Sequence, residues 1–281
     1  MSSINSAIAE AAKTLGAASV DQPQMEAHTL LADLLRRDRA FLIAHSADEL
    51  SAAQYEEFQS RVLRRAAGEP LPYITGHQEF FRLDFEVTPD VLIPRSETEL
   101  IVEAALEFGI HNGSFFADIG TGSGCIAISL LNEFREAKAV AGDISAAALE
   151  VARRNAERYG VTDRLRRVQS DGFAAIERGE TFDFIVSNPP YVSDEEMKNL
   201  QREVQREPAS ALDGGPDGLA VIRRLLNDAP HFLRAGGHFI FEIGFGQGAA
   251  VQGLIDQNTW ELIEIRHDLA NIPRTVILQR K

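Results

Sequence analysis

The sequence contains little cysteine, since Cys125 is the only one among its 281 residues. One cysteine excludes an internal disulfide and a zinc cluster built on several cysteines, and it fits a reducing cytoplasm. No apolar run approaches the roughly 20 residues that a membrane span needs. The first residues also lack the basic and apolar stretches of a signal peptide. We therefore expect a soluble, cytoplasmic protein.

Basic residues are scarce as well, with 28 Lys and Arg against 42 Asp and Glu, for a net charge of −14. Affinity for nucleic acid rests largely on Lys and Arg contacts to phosphates, so this balance argues against direct nucleic-acid binding. It is compatible with a basic protein partner. We predict a monomer that contacts neither nucleic acid nor membrane.

Residues 1–75 have the apolar spacing of amphipathic helices and predict a small helical domain. The first helix has an apolar face that runs from Ile4 to Leu15, and the second follows Asp21, which we expect to cap it. Ser51 is expected to cap a third helix. The buried stripe of that helix is predicted to be Tyr55, Phe58, Val62 and Leu63.

Residues 76–95 mix aromatic and β-branched residues in alternation, which predicts a β-hairpin that links two domains. Ser96 and Glu99 have the spacing of a capping box, so we expect a helix to open there. Arg95 lies between the hairpin and this helix. Its side chain is either a surface group or reaches toward a bound anion, and the spacing does not decide between them.

Residues 96–281 alternate short apolar strands with helices, a pattern typical of a parallel sheet covered on both faces. The acidic stretch 194–216 is expected to be a solvated connection that faces a basic partner. Gly236 and Gly237 are expected to precede the fifth strand. The predicted strands are 114–119, 137–141, 165–169, 181–187 and 238–243, followed by a hairpin of 260–265 and 275–278.

A glycine-rich loop follows the first of these strands and opens a helix; it consists of Gly120, Thr121, Gly122, Ser123 and Gly124. Asp143 ends the neighbouring strand, where its carboxylate can accept hydrogen bonds from a ribose diol. The G-x-G-x-G spacing differs from the dinucleotide fingerprint, and no Walker lysine follows. We therefore predict S-adenosylmethionine as the cofactor. Asp118 either binds loop amides or contacts the cofactor's ammonium, and Cys125 is expected to be a packing residue.

Asn188, Pro189, Pro190 and Tyr191 follow the fourth strand directly. Two prolines cannot continue a central strand, so the chain leaves the sheet here. The Asn188 side-chain oxygen and the Pro189 carbonyl can accept both N–H groups of a planar amide or amine, and Tyr191 is expected to pack on that group. The bland alternatives are a turn-stabilising asparagine, a strand terminator and a core tyrosine. The motif alone does not separate glutamine from adenine.

The glycine loop, Asp143, the Asn188–Tyr191 motif and the segment from Leu92 to Arg95 together resemble the release-factor glutamine methyltransferases, the PrmC/HemK family. The likeness covers nearly the whole chain, including the helical domain and the hairpin. It implies a Rossmann-like class I methyltransferase sheet and an N-terminal domain that binds the substrate protein. It also implies methyl transfer to the glutamine N5 in the Gly-Gly-Gln motif of class I release factors, which act in translation termination.

Other acceptors remain open: a ribosomal-protein glutamine or the N6 amine of adenine. A non-catalytic factor-binding module is a third alternative, which an intact Asn188–Tyr191 motif disfavours.

One departure from the family pattern follows the third strand. The family commonly has an aromatic residue directly after Ser-Asp, whereas here Ser170 and Asp171 precede Gly172 and then Phe173. Either Phe173 contacts the adenine or only the Gly172 backbone lines the adenine site. Asp171 either binds the adenine amine or caps a following helix. Glu242, at the end of the fifth strand, is either structural or supports the site from behind.

Overall fold

The computed structural model describes residues 2–108 and 111–281. Met1, in the predicted helical domain, and residues 109–110, in the predicted sheet domain, lie outside the described residues. The chain divides into two compact units. The first comprises the residues up to His77 together with Gln201–Arg206, and the second comprises Gln78–Leu200 and Glu207–Lys281.

The first unit is helical and has its own apolar core. The predicted first and third helices are confirmed, and Ser51 forms a capping box with Gln54. Buried residues of this core include Leu15, Leu30 and Phe58. The helices are α1 (Ile4–Ala17), α2 (Pro23–Leu35), α3 (Arg39–Ala44), α4 (Ala52–Ala66) and α5 (Leu71–Thr75).

Two predictions for this unit are wrong. Asp21 does not cap α2: Gln22 precedes the helix without a side-chain cap, and Pro23 occupies the first turn, where its fixed φ suits helix entry. Leu63 is 61% exposed, because it follows buried Val62 directly and so points away from the stripe. Helices α3 and α5 are too short, at 6 and 5 residues, to show an apolar period in the sequence.

A segment of the acidic stretch packs within the helical unit. Arg65 is buried, and its guanidinium binds the Glu26 carboxylate through Nε at 2.5 Å and the Glu203 carboxylate through Nη1 at 2.8 Å. The prediction that stretch 194–216 is a solvated connection is therefore wrong at Glu203. It is also wrong at Glu207, whose carboxylate is buried within the second unit.

The structure has a hairpin after the helical domain, and the helix that follows begins later than predicted. Strands β1 (His77–Phe80) and β2 (Leu83–Glu86) pair across a turn at Phe81 and Arg82, both in the left-handed region. The predicted capping box at Ser96 is wrong. Helix α6 (Glu99–Phe108) begins three residues later, after a 3₁₀ turn, and the Glu99 carboxylate accepts the Phe81 N–H at 2.8 Å instead.

The second unit is built on a seven-stranded sheet of order β5-β4-β3-β6-β7-β9-β8. The strands are parallel except for β9, which runs antiparallel to both of its neighbours. The predicted Rossmann-like fold and the terminal hairpin are thus confirmed. The strands are β3 (Phe115–Ile119), β4 (Lys138–Asp143), β5 (Leu165–Gln169), β6 (Phe182–Ser187), β7 (Leu233–Glu242), β8 (Trp260–His267) and β9 (Pro273–Arg280).

Helices cover both faces of this sheet. Phe116 packs with α6, α7 and α8 on one face, while its neighbour Ala117 belongs to the cluster with α10 on the other. Strand β7 starts at Leu233, so Gly236 and Gly237 lie inside it rather than before it. The helices are α7 (Cys125–Glu133), α8 (Ala146–Arg158), α9 (Asp194–Met197), α10 (Ala220–Asp228) and α11 (Gly248–Leu254).

The segment after β5 contains no helix. Residues 170–181 form turns and no helix, so Asp171 cannot cap one, and that alternative is wrong. In the part of the chain that the structure describes, no helix is long and apolar enough to cross a bilayer.

Candidate active site

A cavity of about 240 Å³ opens at the carboxyl ends of β3, β4 and β6. Strand β3 has β4 on one side and β6 on the other, so the chain crosses in opposite directions from this point. Ligands of open α/β sheets bind in the crevice at such a switch point. The wall is formed by residues 120–123, 143–145, 170–172 and 187–190, with Asp90, Thr98, Arg224 and others.

Four residues of the glycine loop, Gly120 to Ser123, line one wall of the cavity, whereas Gly124 does not. The loop backbone adopts a glycine conformation three times. Gly120, Gly122 and Gly124 have φ values of +79°, +54° and +83°. Other residues rarely adopt these angles. Gly124 also caps α7, and a Cβ on it would lie 2.8 Å from Ile128 Cδ1. The sequence pattern is therefore dictated by the turn from β3 into α7.

Asp143 lies beside this loop at the end of β4, as predicted. Its Oδ2 accepts the Gly122 N–H at 2.9 Å and its Oδ1 accepts the Ser145 N–H at 2.9 Å. Burial raises the pKa of the Asp143 carboxyl, and the two N–H donors oppose that rise. Each oxygen keeps a second lone pair that can accept a hydroxyl. The ribose-binding role stays a prediction.

Asp118 stands behind the loop and is fully buried. Its Oδ2 accepts the Thr121 hydroxyl at 2.7 Å and the Ala127 N–H at 3.3 Å, while its Oδ1 has no hydrogen-bond partner in residues 2–108 and 111–281. Burial raises the pKa of Asp118 to about 7. Asp118 is not among the residues that line the cavity. Asp118 therefore supports the loop, although through the Thr121 hydroxyl and an amide of α7 rather than through the loop amides that were predicted.

Cys125 is buried at the start of α7, where burial raises the pKa of its thiol to about 12. A thiol in this state is protonated at neutral pH and unreactive. Cys125 also lines the cavity, and its assignment as a packing residue stays a prediction.

Asn188 lies at the exit of β6, and its side-chain amide is held from one end only. Its Nδ2 donates to the Thr98 hydroxyl oxygen at 3.0 Å, whereas its Oδ1 is buried and has no partner among the described residues. An unsatisfied buried acceptor costs about 1–3 kcal/mol. Pro189 and Pro190 line the cavity beside it. The side chain therefore has one unpartnered amide oxygen. Its predicted role as the acceptor for a substrate N–H group stays a prediction.

Tyr191 follows this motif but is not among the residues that line the cavity. Its hydroxyl donates to Glu242 Oε1 at 3.1 Å, and its carbonyl accepts Gln247 Nε2 at 2.9 Å. Desolvation and the neighbouring Glu242 raise the pKa of the Tyr191 hydroxyl. The predicted packing of its ring on an acceptor amide stays a prediction.

Glu242 is buried at the end of β7, behind Asn188. Its Oε2 accepts the Thr98 hydroxyl at 2.6 Å. Burial raises the pKa of Glu242 to about 7, although the hydrogen bonds from Thr98 and Tyr191 favour the charged form. Sequence reasoning left the role of Glu242 open and missed Thr98 altogether. Thr98 precedes Asn188 by 90 residues and carries no local signal.

Arg95 is neither a free surface group nor directed at a bound anion, the two roles considered for it. Its guanidinium pairs with the carboxylate of Glu207, and the other oxygen of that carboxylate accepts the Ile93 N–H at 3.1 Å. Arg95 therefore holds an internal carboxylate, which fixes the segment before α6 against the stretch after Arg206.

The segment after β5 shows which residue lines the cavity where the family commonly has an aromatic side chain. The Phe173 ring is buried and stacks on Phe232 with 4.7 Å between the ring centroids, so it does not line the cavity. Gly172 does line it, as does Asp171. Asp171 pairs with Arg224 at 2.6 Å, which lowers the pKa of its carboxyl.

Comparisons with known proteins agree with this arrangement. Residues 6–76 match the family model described as PrmC N-terminal domain, and residues 98–217 match the methyltransferase small domain. A methyltransferase structure from Pyrococcus furiosus superimposes with a TM-score of 0.53 at 21% identity, over 79% of this chain and 96% of that one. A ribosomal protein L11 methylase from Lactobacillus delbrueckii gives 0.52 at 19% identity, over 73% and 90%. These likenesses show the fold.

Sequence relatives are more specific. A release factor glutamine methyltransferase from Moorella thermoacetica is 46% identical over 252 residues, which is 89% of each chain. One from Koribacter versatilis is 42% identical over 276 residues, covering 98% of this chain and 97% of the relative. Identity at this level over nearly the whole length includes both units. The chain belongs to the release factor glutamine methyltransferase family.

Proposed function

We propose that this protein transfers the methyl group of S-adenosylmethionine to the side-chain nitrogen N5 of a glutamine in the Gly-Gly-Gln motif of class I release factors. The observation that carries the proposal is the buried, unpartnered Oδ1 of Asn188 at the cavity wall. A primary amide brings N–H donors that this oxygen lacks. Full-length relatives named release factor glutamine methyltransferase support the choice of substrate.

The residues present fit the cofactor. The Asp143 carboxylate keeps free lone pairs for a ribose diol, and the positive φ angles of the loop bring its backbone to the cavity without side chains. S-adenosylmethionine, when bound, supplies a methyl group on a sulfonium, which is a ready electrophile. The residues proposed to hold it are Gly120, Thr121, Gly122, Ser123, Gly124, Asp143, Asp171, Gly172 and Asn188; Phe173, also predicted from the sequence, would act only from the core behind Gly172.

The acceptor nitrogen is the harder problem, because the lone pair of an amide nitrogen is delocalised into its carbonyl. Asn188 Oδ1 and the Pro189 carbonyl are proposed to accept its two N–H groups and so to fix its direction. Positive charge builds on the N–H groups in the transition state, so the two acceptors stabilise the transition state more than the ground state. Orientation of this kind contributes as much as about 7–11 kcal/mol to lowering a barrier. The methylated nitrogen is acidic and loses its proton without a dedicated base.

The helical unit is proposed to bind the release factor, as a substrate-binding domain of residues 1–75 joined by the hairpin 76–95 to the catalytic domain 96–281. The net charge of −14 supports a basic protein partner and disfavours nucleic acid. We also propose that the enzyme acts as a monomer in the cytoplasm, where its single cysteine stays reduced.

The test is transfer of a radiolabelled methyl group to a purified class I release factor. We expect label in the wild-type factor and none in a variant whose Gly-Gly-Gln glutamine is alanine. Equal label in both would place the acceptor elsewhere. Ribosomal protein and adenine-containing DNA serve as parallel substrates, and preferential labelling of either one would replace the release factor as the substrate.

A further inference from the structure

A chain of hydrogen bonds leads from the β7 end to the cavity wall. The Thr98 hydroxyl donates to Glu242 Oε2 at 2.6 Å, and the Thr98 oxygen accepts from Asn188 Nδ2 at 3.0 Å. Tyr191 donates to the other carboxylate oxygen at 3.1 Å. Glu242 and Thr98 are buried, so water does not compete for these bonds.

The direction of this chain is fixed by the donors that each group has. A carboxylate can only accept, so the single Thr98 hydrogen must point at Glu242. The Thr98 oxygen can then only accept from its other neighbour, which must be the Nδ2 end of the Asn188 amide. The Oδ1 end is thereby turned the other way, where it has no partner.

The reversed amide would spoil both ends of the chain. If Asn188 were flipped, its oxygen would face the oxygen of Thr98 with no hydrogen between them, because that hydrogen is engaged by Glu242. The Nδ2 group would instead face the acceptor nitrogen, and two sets of N–H donors would oppose each other. An asparagine side chain is nearly symmetric in shape, so sterics alone would not prevent the flip.

We propose that Glu242 and Thr98 are positioning residues that set the orientation of the Asn188 amide, so that its oxygen and not its nitrogen receives the acceptor amide. This inference rests on the proposed function of Asn188. It assigns a role to a buried carboxylate that touches neither cofactor nor acceptor in the proposed arrangement. Its consequence is that turnover depends on the charge of Glu242, since a protonated carboxyl can donate to Thr98 and release the constraint.

The key variants are Thr98→Val, which keeps the shape but removes the hydroxyl, and Thr98→Ser, which keeps the hydroxyl. Methyl transfer to the release factor is measured with each, along with cofactor affinity by calorimetry. We expect kcat to fall about 10- to 100-fold in Thr98→Val, as when other orienting partners are lost, with cofactor affinity unchanged. Thr98→Ser is expected to remain near wild type.

The pH profile separates orientation from mere packing. Groups that face Glu242 are Thr98, Tyr191, Arg274 on β9 and Glu97 before α6. In the wild type and in Thr98→Ser we expect kcat to fall as the pH is lowered and Glu242 becomes protonated. Thr98→Val is expected to lack this fall, because without a hydroxyl the protonation of Glu242 does not affect Asn188. Glu242→Gln is expected to lose the same fall.

The outcomes distinguish a failure of the positioning role from a failure of the proposed methyl transfer. No label in the release-factor glutamine with wild-type protein overturns the proposed function. Normal labelling by the wild type, with Thr98→Val as fast as Thr98→Ser or with the same acidic fall, overturns the positioning role alone. If Thr98→Val fails to fold, Glu242→Gln carries the test through the pH profile: retention of the acidic fall overturns the role, and its loss supports it.

Discussion

Two buried carboxylates stand behind two walls of the cavity, and they differ in where their partners come from. Asp118 binds Thr121 and Ala127, only 3 and 9 residues further along the chain. Glu242 binds Thr98 and Tyr191, which are 144 and 51 residues away. Burial raises the pKa of both carboxyls to about 7. One wall is therefore made by a local strand–loop–helix turn, and the other by the topology of the sheet.

This difference assigns distinct tasks. The Asp118 wall shapes the cofactor side, and among the described residues it also contains two buried oxygens without a partner, Asp118 Oδ1 and Ser123 Oγ. The Glu242 wall ends in Asn188 Oδ1, which we propose receives the acceptor amide. Substitutions on the two walls should accordingly act on different measurable quantities: those on the loop wall on cofactor affinity, and those on the Glu242 wall on turnover.

The largest effect is expected at the unsatisfied oxygen itself. Asn188→Ala removes the acceptor that orients the substrate amide, and we expect kcat to fall by at least about 10²–10³-fold, as for loss of one preorganised group in other enzymes. Cofactor affinity is expected to fall much less than kcat, because Asn188 is only one of the nine residues proposed to hold the cofactor. Methyl transfer to the release factor measures the first quantity and calorimetry the second. Unchanged turnover would remove Asn188 from the reaction.

On the loop wall, Asp143→Ala should weaken cofactor affinity. It removes the proposed ribose contacts as well as the acceptor for the Gly122 and Ser145 N–H groups. One hydrogen bond to a charged group is worth about 1.5–3 kcal/mol, so we expect affinity to fall at least about 10- to 100-fold. Calorimetric titration provides the measurement. With saturating cofactor, kcat should recover most of its wild-type value. A full loss of kcat with intact affinity would contradict the separation of the walls.

The same contrast explains what could be predicted from the sequence. The loop, its strand and Asp143 are tied by neighbours along the chain, and their glycines mark the backbone conformation directly. The partners of Asn188 depend on the register of β6 with β7, where Ser187 lies opposite Phe241. That register carries Asn188 to the side of Glu242, and a single sequence does not encode it visibly. Phe173 and Ser96 were misjudged for a related reason, since tertiary packing overrode a plausible local role.

A third prediction uses pH to compare the two carboxylates in the folding equilibrium. Each has a pKa raised from its usual range to about 7, so the folded state binds more protons than the unfolded state between about pH 4.5 and 7. Their contribution to stability is therefore present at low pH and is lost as pH rises through 7. The penalty at pH 8 is about 4 kcal/mol for Asp118 and about 3 kcal/mol for Glu242.

Matched amides test this directly. The amide side chains of Glu242→Gln and Asp118→Asn do not titrate. The free energy of unfolding of each variant should therefore increase relative to that of the wild type as pH rises from 5 to 8. Urea denaturation at both pH values gives the measurement. Glu242→Gln should lose turnover at pH 8 despite this gain, whereas Asp118→Asn should lose mainly cofactor affinity. A difference between variant and wild type that is constant with pH would show that neither carboxyl titrates in this range.

The smallest effect is expected at Cys125, which lies on the loop wall close enough to Asp118 for that carboxylate to help raise its pKa. With the thiol pKa at about 12, about one molecule in ten thousand carries a thiolate at pH 8, and the thiol is also buried. Iodoacetamide should leave the folded enzyme active and label it only in urea. Rapid labelling of the native protein, with loss of cofactor affinity, would mean that this wall opens in solution. The loop would then be held less firmly by Asp118 than its hydrogen bonds indicate.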